Sequence, residues 1–254
     1  MLQLVAPVVR REALAAGHER VWLLVPAIAA RAQPGQLLAI KSGSSPLEPL
    51  LRDPLPVAAA DPAVGTVVLL RGGDGSPEGA GHAGESLDVL GPVGRGWRVA
   101  EGTRNILLLG TEAGVGALLF LASVASSRAL NVTLLLGAAE DRPALPPALV
   151  PQAVEYQFAR SAEPAAAALD LLDTSLLRWA DALYTTLPLD SYGALAERIR
   201  AARMRWEPGF AQGLVVPPMA CFTGICDTCL VAEARRPWRG CVDGPQCDVR
   251  DFAR

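Results

Sequence analysis

The chain has 254 residues, of which 51% are hydrophobic and 19% charged. That composition supports a folded core and two or three small domains, and it excludes a disordered chain. The net charge is −3 and the pI about 5.5, so a general nucleic-acid binder, which needs a basic face, is also excluded. Lys41 is the only lysine, a bias that reads as base composition and not as mechanism. The segment from Met1 to Pro7 lacks a charged stretch followed by an apolar core. The longest apolar stretch, 114–125, is shorter than the roughly 20 residues that cross a bilayer. A soluble cytoplasmic protein without a membrane span is the expectation.

In chain order, 1–98 reads as β-rich. Segments 20–25, 36–40 and 65–70 are short, apolar and bounded by glycine or proline. Pro26, Pro34, Pro54, Pro56 and Pro62 make long helices there improbable on backbone grounds. A small antiparallel β-barrel fits. Residues 99–205 alternate. Segments 105–110 and 131–137 are continuous apolar runs, the mark of strands buried on both faces. A helical stretch at 115–127 lies between them, which makes a βαβ unit. Helices are expected at 165–172 and 191–204 and a strand at 180–185, so this region is predicted to be a parallel α/β domain. Residues 206–254 form a third region with little helical periodicity. The expected fold class is therefore a multi-domain α+β chain: a barrel, a nucleotide-binding-like α/β domain and a C-terminal metal-cluster domain.

All five cysteines lie in that third region, between 221 and 247. A cysteine-free chain ending in one dense group points to a metal or iron–sulfur site. Cys221, Cys226, Cys229 and Cys241 follow the C-x4-C-x2-C…C spacing of plant-type [2Fe–2S] proteins. Two sulfide-bridged irons need four thiolates. A tight loop supplies three, and a more distant turn supplies the fourth. Gly224 lets the loop curl without a Cβ clash, so amide N–H groups face the sulfurs. Two alternatives remain open at this point. A structural zinc site would normally show two C-x2-C pairs, and here only Cys226 and Cys229 form one. Disulfides or free thiols are the other. Cys247 is a spectator or, as a lesser alternative to Cys241, the fourth ligand.

Met219-Ala220-Cys221 leads into the loop, Cys241-Val242-Asp243-Gly244-Pro245 leaves it, and 87–94 reads LDVLGPVG. With these motifs the chain resembles the electron-transfer (iron–sulfur) subunit of NAD-linked bacterial dihydroorotate dehydrogenase, in the ferredoxin-reductase-like superfamily. The resemblance covers nearly the whole chain and favours Cys241 over Cys247. It implies that 87–94 closes a flavin barrel and that FAD lies between the barrel and the α/β domain. It further implies that NAD(H) exchanges electrons with that FAD. The cluster would link to an FMN-containing catalytic partner subunit in a hetero-oligomer of pyrimidine biosynthesis.

The flavin and nicotinamide motifs match less well. The family's Arg-Pro-x-Ser stretch falls on Asp53-Pro54-Leu55-Pro56, with Arg52 one position early. The Tyr-Arg pair falls on Leu69-Leu70. Gly73, Gly75 and Ser76 keep a turn whose amides would cradle a phosphate. Gly110 and Gly114 survive from the nicotinamide loop, which Glu112 now interrupts, and Thr186-Leu187-Pro188 stands where the family has Cys-Gly-Pro. The candidate cofactor residues are thus Arg52, Gly73, Gly75, Ser76, Gly110 and Gly114. The cluster is the expected cofactor, FAD an open alternative, and NAD(H) is not expected to bind.

Three functions follow: a dihydroorotate-dehydrogenase-like electron-transfer subunit, a cluster-only relay of another oxidoreductase, or a zinc-stabilised structural subunit. No catalytic residue is expected in this chain. His18 and His82 are expected in surface or loop roles. Arg235, Arg236, Trp238 and Arg239 are expected on an exposed hairpin, with partner docking as the functional alternative.

Overall fold

The computed structural model describes residues 1–14, 18–41, 51–71, 84–141 and 145–253. Six antiparallel strands come first. They are β1 (Leu2–Ala13), β2 (Glu19–Leu24), β3 (Leu37–Lys41), β4 (Asp53–Asp61), β5 (Thr66–Arg71) and β6 (Ser86–Val93). They close into a barrel in the order β1-β2-β5-β4-β3-β6, with one turn of helix, α1 (Pro26–Ala29), between β2 and β3. Alternate residues such as Ala6, Val8, Val21, Leu23, Val67, Leu69, Leu87 and Val89 fill its interior.

Strand β4 contains two prolines that would normally disqualify a central strand. Residues 53–56 pair with β3, and residues 57–61 pair with β5 across a bulge. The Val57 N–H donates back to the β3 side, to Gln36 O at 3.0 Å. The N–H groups missing at Pro54 and Pro56 would therefore point to the opposite edge, where that half of the strand has no registered partner.

The second body is a six-stranded sheet, ordered β14-β11-β10-β7-β8-β9. Its strands are β7 (Asn105–Thr111), β8 (Asn131–Ala138), β9 (Val154–Arg160), β10 (Ala182–Thr185), β11 (Ala211–Leu214) and β14 (Gln246–Asp248). Ile106 and Leu108 of β7 face a core shared with α2 (Val115–Ser127). Leu107 and Leu109 face the opposite core, shared with α3 (Pro164–Asp170), α4 (Thr174–Trp179) and α5 (Tyr192–Ala202). This is why the run reads as apolar without alternation. Helix α2 is apolar on two faces because Phe120 reaches the barrel core while another face covers the sheet.

The sheet corrects the expected architecture in two ways. It is mixed, because β14 runs antiparallel to β11. The third region is also not set apart from it. Strands β11 and β14, with the 3-10 turn Val249–Phe252, complete the sheet and its lower core. Only the segment between them leaves the sheet, and it carries a two-stranded ribbon, β12 (Leu230–Val231) with β13 (Trp238–Arg239).

Candidate functional site

The excursion from the sheet holds four of the five cysteines. The β12–β13 ribbon pairs Leu230 with Arg239 and Val231 with Trp238, and Gly240 N donates to Cys229 O at 2.9 Å. This brings the fourth cysteine beside the third, although twelve positions separate them. Cys226 is exposed and Cys221 half-buried, while Cys229 and Cys241 are buried.

The sulfurs form two pairs. Cys221 Sγ lies 3.2 Å from Cys226 Sγ, and Cys229 Sγ lies 3.4 Å from Cys241 Sγ. Two thiolates about 2.3 Å from one tetrahedral metal sit roughly 3.7 Å apart, so each pair is within about half an ångström of sharing an ion. Among the described residues no three His, Cys, Asp or Glu side chains converge on a single ion. Each pair of thiols is thus spaced to share one metal ion, an arrangement compatible with two metals of two thiolates each.

The loop turns amides onto this sulfur cage. Thr223 N donates to Cys221 Sγ at 3.4 Å, and the backbone N–H of Gly224 points at the Cys241 sulfur. Hydrogen bonds from Thr223 and Cys226 lower the Cys221 thiol to about 5, whereas burial beside Cys229 pushes Cys241 up to about 12. Gly224 has φ +80°, and a Cβ there would meet Val242 Cγ2 at 2.7 Å. Phe222 and Asp227 also adopt left-handed backbone, at φ +58° and +55°, a conformation that side-chain-bearing residues hold only under constraint. The constraint on Phe222 is visible. Its buried ring packs with Met219 on Leu37, Ala39 and Val93 of the barrel.

Two further contacts hold the cage. Arg239 Nε donates to Asp227 Oδ1, tying the three-cysteine loop to the strand before Cys241. Arg95 N donates to Gly244 O at 2.6 Å, so the end of the barrel grips the turn after Cys241. The two motifs at 87–94 and 241–245, far apart in sequence, are thus direct neighbours. Asp227, Arg239 and Phe222 were not singled out for these roles by the sequence. The only signal was position: a charge inside the loop, an opposite charge two residues before Cys241, and an aromatic next to Cys221.

The flavin and nicotinamide candidates fare differently. Gly73, Gly75, Ser76 and His82 lie outside the described residues. Arg52 is engaged with the barrel itself, its guanidinium 2.5 Å from Asp88 Oδ2 and 3.1 Å from Asp88 O. Leu69 points into the barrel core, and Leu70 faces the α2 side. A Cβ on Gly116 would lie 3.2 Å from Leu70 and 3.3 Å from Ala58, so apolar side chains close the barrel–helix seam. Gly110 and Gly114 face Thr186, whose Oγ1 would lie 2.3 and 2.5 Å from a Cβ at each. His18, expected in a surface or loop role, is in a loop but buried. Trp238 is half-buried against Gly244 and does not project for docking, while Arg235 and Arg236 are exposed. Cys247 is buried in the lower sheet core, where desolvation pushes its thiol up to about 12.

No family model matches the chain. It is 29% identical over 225 residues to the electron transfer subunit of dihydroorotate dehydrogenase B (NAD(+)) from Shouchella clausii, covering 84% of this chain and 83% of that one. The Geobacillus kaustophilus subunit is 29% identical over 231 residues, with 84% of each chain covered. The Bacillus velezensis subunit is 38% identical over 112 residues, covering 41% of this chain and 43% of that one. Among solved structures, an NADH-dependent reduced ferredoxin–NADP oxidoreductase superposes with a TM-score of 0.76 at 22% identity, over 97% of this chain and 88% of that one. Phthalate dioxygenase reductase gives 0.61 at 14%, over 91% and 88%. The chain is similar to dihydroorotate dehydrogenase electron-transfer subunits, and its barrel and mixed sheet have the ferredoxin-reductase fold.

Proposed function

We propose that this chain is an electron-transfer subunit whose Cys221, Cys226, Cys229 and Cys241 hold a plant-type [2Fe–2S] cluster beside a catalytic oxidoreductase subunit of the dihydroorotate dehydrogenase kind. The observation that carries the reading is the pairing of sulfurs, 3.2 Å for Cys221 with Cys226 and 3.4 Å for Cys229 with Cys241. Such a cluster supplies one-electron transfer at low potential, near −400 mV for plant-type examples. The chain's own residues divide the site into a dry and a wet side. Phe222, Met219 and the barrel strands cover Cys229 and Cys241. On the other side Cys226 is exposed beside Ile225, itself 83% exposed, which leaves an apolar approach for a partner protein. The division at 98 between barrel and sheet is part of the proposal, with the cysteine excursion between β11 and β14 as a third unit inserted into the sheet domain.

Flavin is the second reading. It is favoured by the closed barrel and by similarity to the relatives over 84% of the chain. Against it stand the engagement of Arg52 with Asp88 and the apolar seam of Leu70, Ala58 and Gly116. One assay separates the readings. The protein is purified without oxygen and analysed for iron, sulfide, zinc and released flavin. About two iron and two sulfide per chain are expected. Zinc without iron overturns the proposal, and one FAD per chain selects the flavin-bearing version.

A further inference from the structure

The carboxyl ends of β7, β8 and β10 open onto a cavity of about 770 Å³. The strand order reverses beside β7, with β8 and β9 to one side and β10 and β11 to the other. In open α/β sheets this crevice is where ligands bind, and the helix N-terminus that follows the first strand is where a diphosphate settles. By topology alone the cavity is a dinucleotide site.

Its lining does not fit one. Glu112, Glu163 and Asp190 line it, and among the described residues no lysine or arginine does. Glu112 opens the 3-10 turn that runs straight into α2 and is only 8% exposed. Glu112 therefore puts a largely buried negative charge in the cavity wall, in the turn that leads into the positive end of the helix, where a diphosphate would otherwise be favoured. The glycines give no close approach either. Thr186 packs onto Gly110 and Gly114, with its Oγ1 2.3 and 2.5 Å from where a Cβ would be. Their missing side chains make room for Thr186, which narrows the cradle that would admit phosphate oxygens.

We infer that this crevice rejects nicotinamide dinucleotides and that Glu112 is the residue that sets the rejection. Electrons then enter or leave the chain through a protein partner and not through NAD(P)H. That last consequence rests on the electron-transfer reading, whereas the rejection itself does not.

The test is calorimetric titration of the full chain with NADH and with ADP-ribose. Wild type gives no saturable binding below about 1 mM, and Glu112→Gln gains tenfold or more in affinity for both, which corresponds to about 1.4 kcal/mol. Glu163 and Asp190 are exposed. The double variant Glu163→Gln/Asp190→Asn shows a smaller gain, and it carries the test if Glu112→Gln fails to fold. Wild-type binding of NADH tighter than about 100 μM overturns the inference. So does an unchanged affinity in both variants. Because binding is read without reference to iron, a failure here is distinct from a failure of the metal analysis.

Discussion

Gly94 joins the end of the barrel to the turn that follows Cys241, and replacing it by alanine tests whether that joint holds the cage. Gly94 has φ +74°, and an added Cβ would lie 2.3 Å from Pro245 Cδ and 2.4 Å from Gly244 O. Carbon atoms in ordinary contact sit about 3.5–4.0 Å apart, so one backbone must retreat by more than about 1 Å. Neither side yields easily. Gln36 Nε2 donates to Gly94 O at 2.9 Å, and Arg95 N donates to Gly244 O at 2.6 Å. Left-handed backbone costs alanine about 1–2 kcal/mol, and overpacking a well-filled contact adds about 1–3 kcal/mol. Gly94→Ala is thus expected to lose about 2–5 kcal/mol in urea unfolding. Gly102→Ala is the control: its φ is +84° with nothing within 4 Å of the new Cβ, so it carries the backbone cost alone. The displaced Gly244 lies three residues after Cys241, so Gly94→Ala should also hold less iron per chain than Gly102→Ala. If the two variants match within about 0.5 kcal/mol and hold equal iron, the reasoning fails, because close approach at Gly94 then carries no energy.

Asp227→Arg is expected to speed iron loss to a chelator with little change in the unfolding midpoint, since the pair with Arg239 is solvent-exposed. The double variant Asp227→Arg/Arg239→Asp should recover the slow rate, and no recovery would show that the ion pair does not hold the loop. Cys247→Ala should keep full iron and cost about 1–2 kcal/mol as a small core truncation, whereas Cys241→Ala should lose the metal. Burial raises the Cys247 thiol to about 12, so its reactive thiolate is absent in the folded protein until pH approaches that value. In native protein Cys247 should therefore resist iodoacetamide up to about pH 10 and label only on unfolding, as peptide mapping would read. Gly193 lies near the start of α5 with open space around it. Gly193→Ala should raise stability by about 0.4–1 kcal/mol, and a loss of stability in a thermal melt would contradict the placement.

Short-range chemistry was legible from the residues alone. The spacing of Cys221, Cys226 and Cys229, with Gly224 between them, predicts a tight curling loop, and the loop adopts φ +80° at that glycine. The run at 105–110 predicts a strand covered on both faces, and β7 has cores on each side. Helix α2 spans Val115–Ser127, the predicted residues. Each of these follows from backbone sterics or side-chain period within a dozen residues. Strand β4 escaped because its prolines look like breakers until the partner change beneath them is known. Strand β9, an edge strand with charged residues, lacks a clean alternation.

What only the tertiary structure decided is how distant segments meet. No local property of Ala211–Leu214 or Gln246–Asp248 says that they pair with each other and extend the central sheet. Nor does any local property set Phe222 on the barrel, Asp227 against Arg239, or Gly94 beneath Gly244. The chain's cysteine spacing singles out Cys221, Cys226 and Cys229 by itself and leaves Cys241 and Cys247 as alternatives for a fourth. The facing of Cys229 and Cys241 depends on the β12–β13 ribbon, and the seating of the loop depends on barrel residues more than a hundred positions away, because pairing is a property of the packed whole and leaves no period in the sequence.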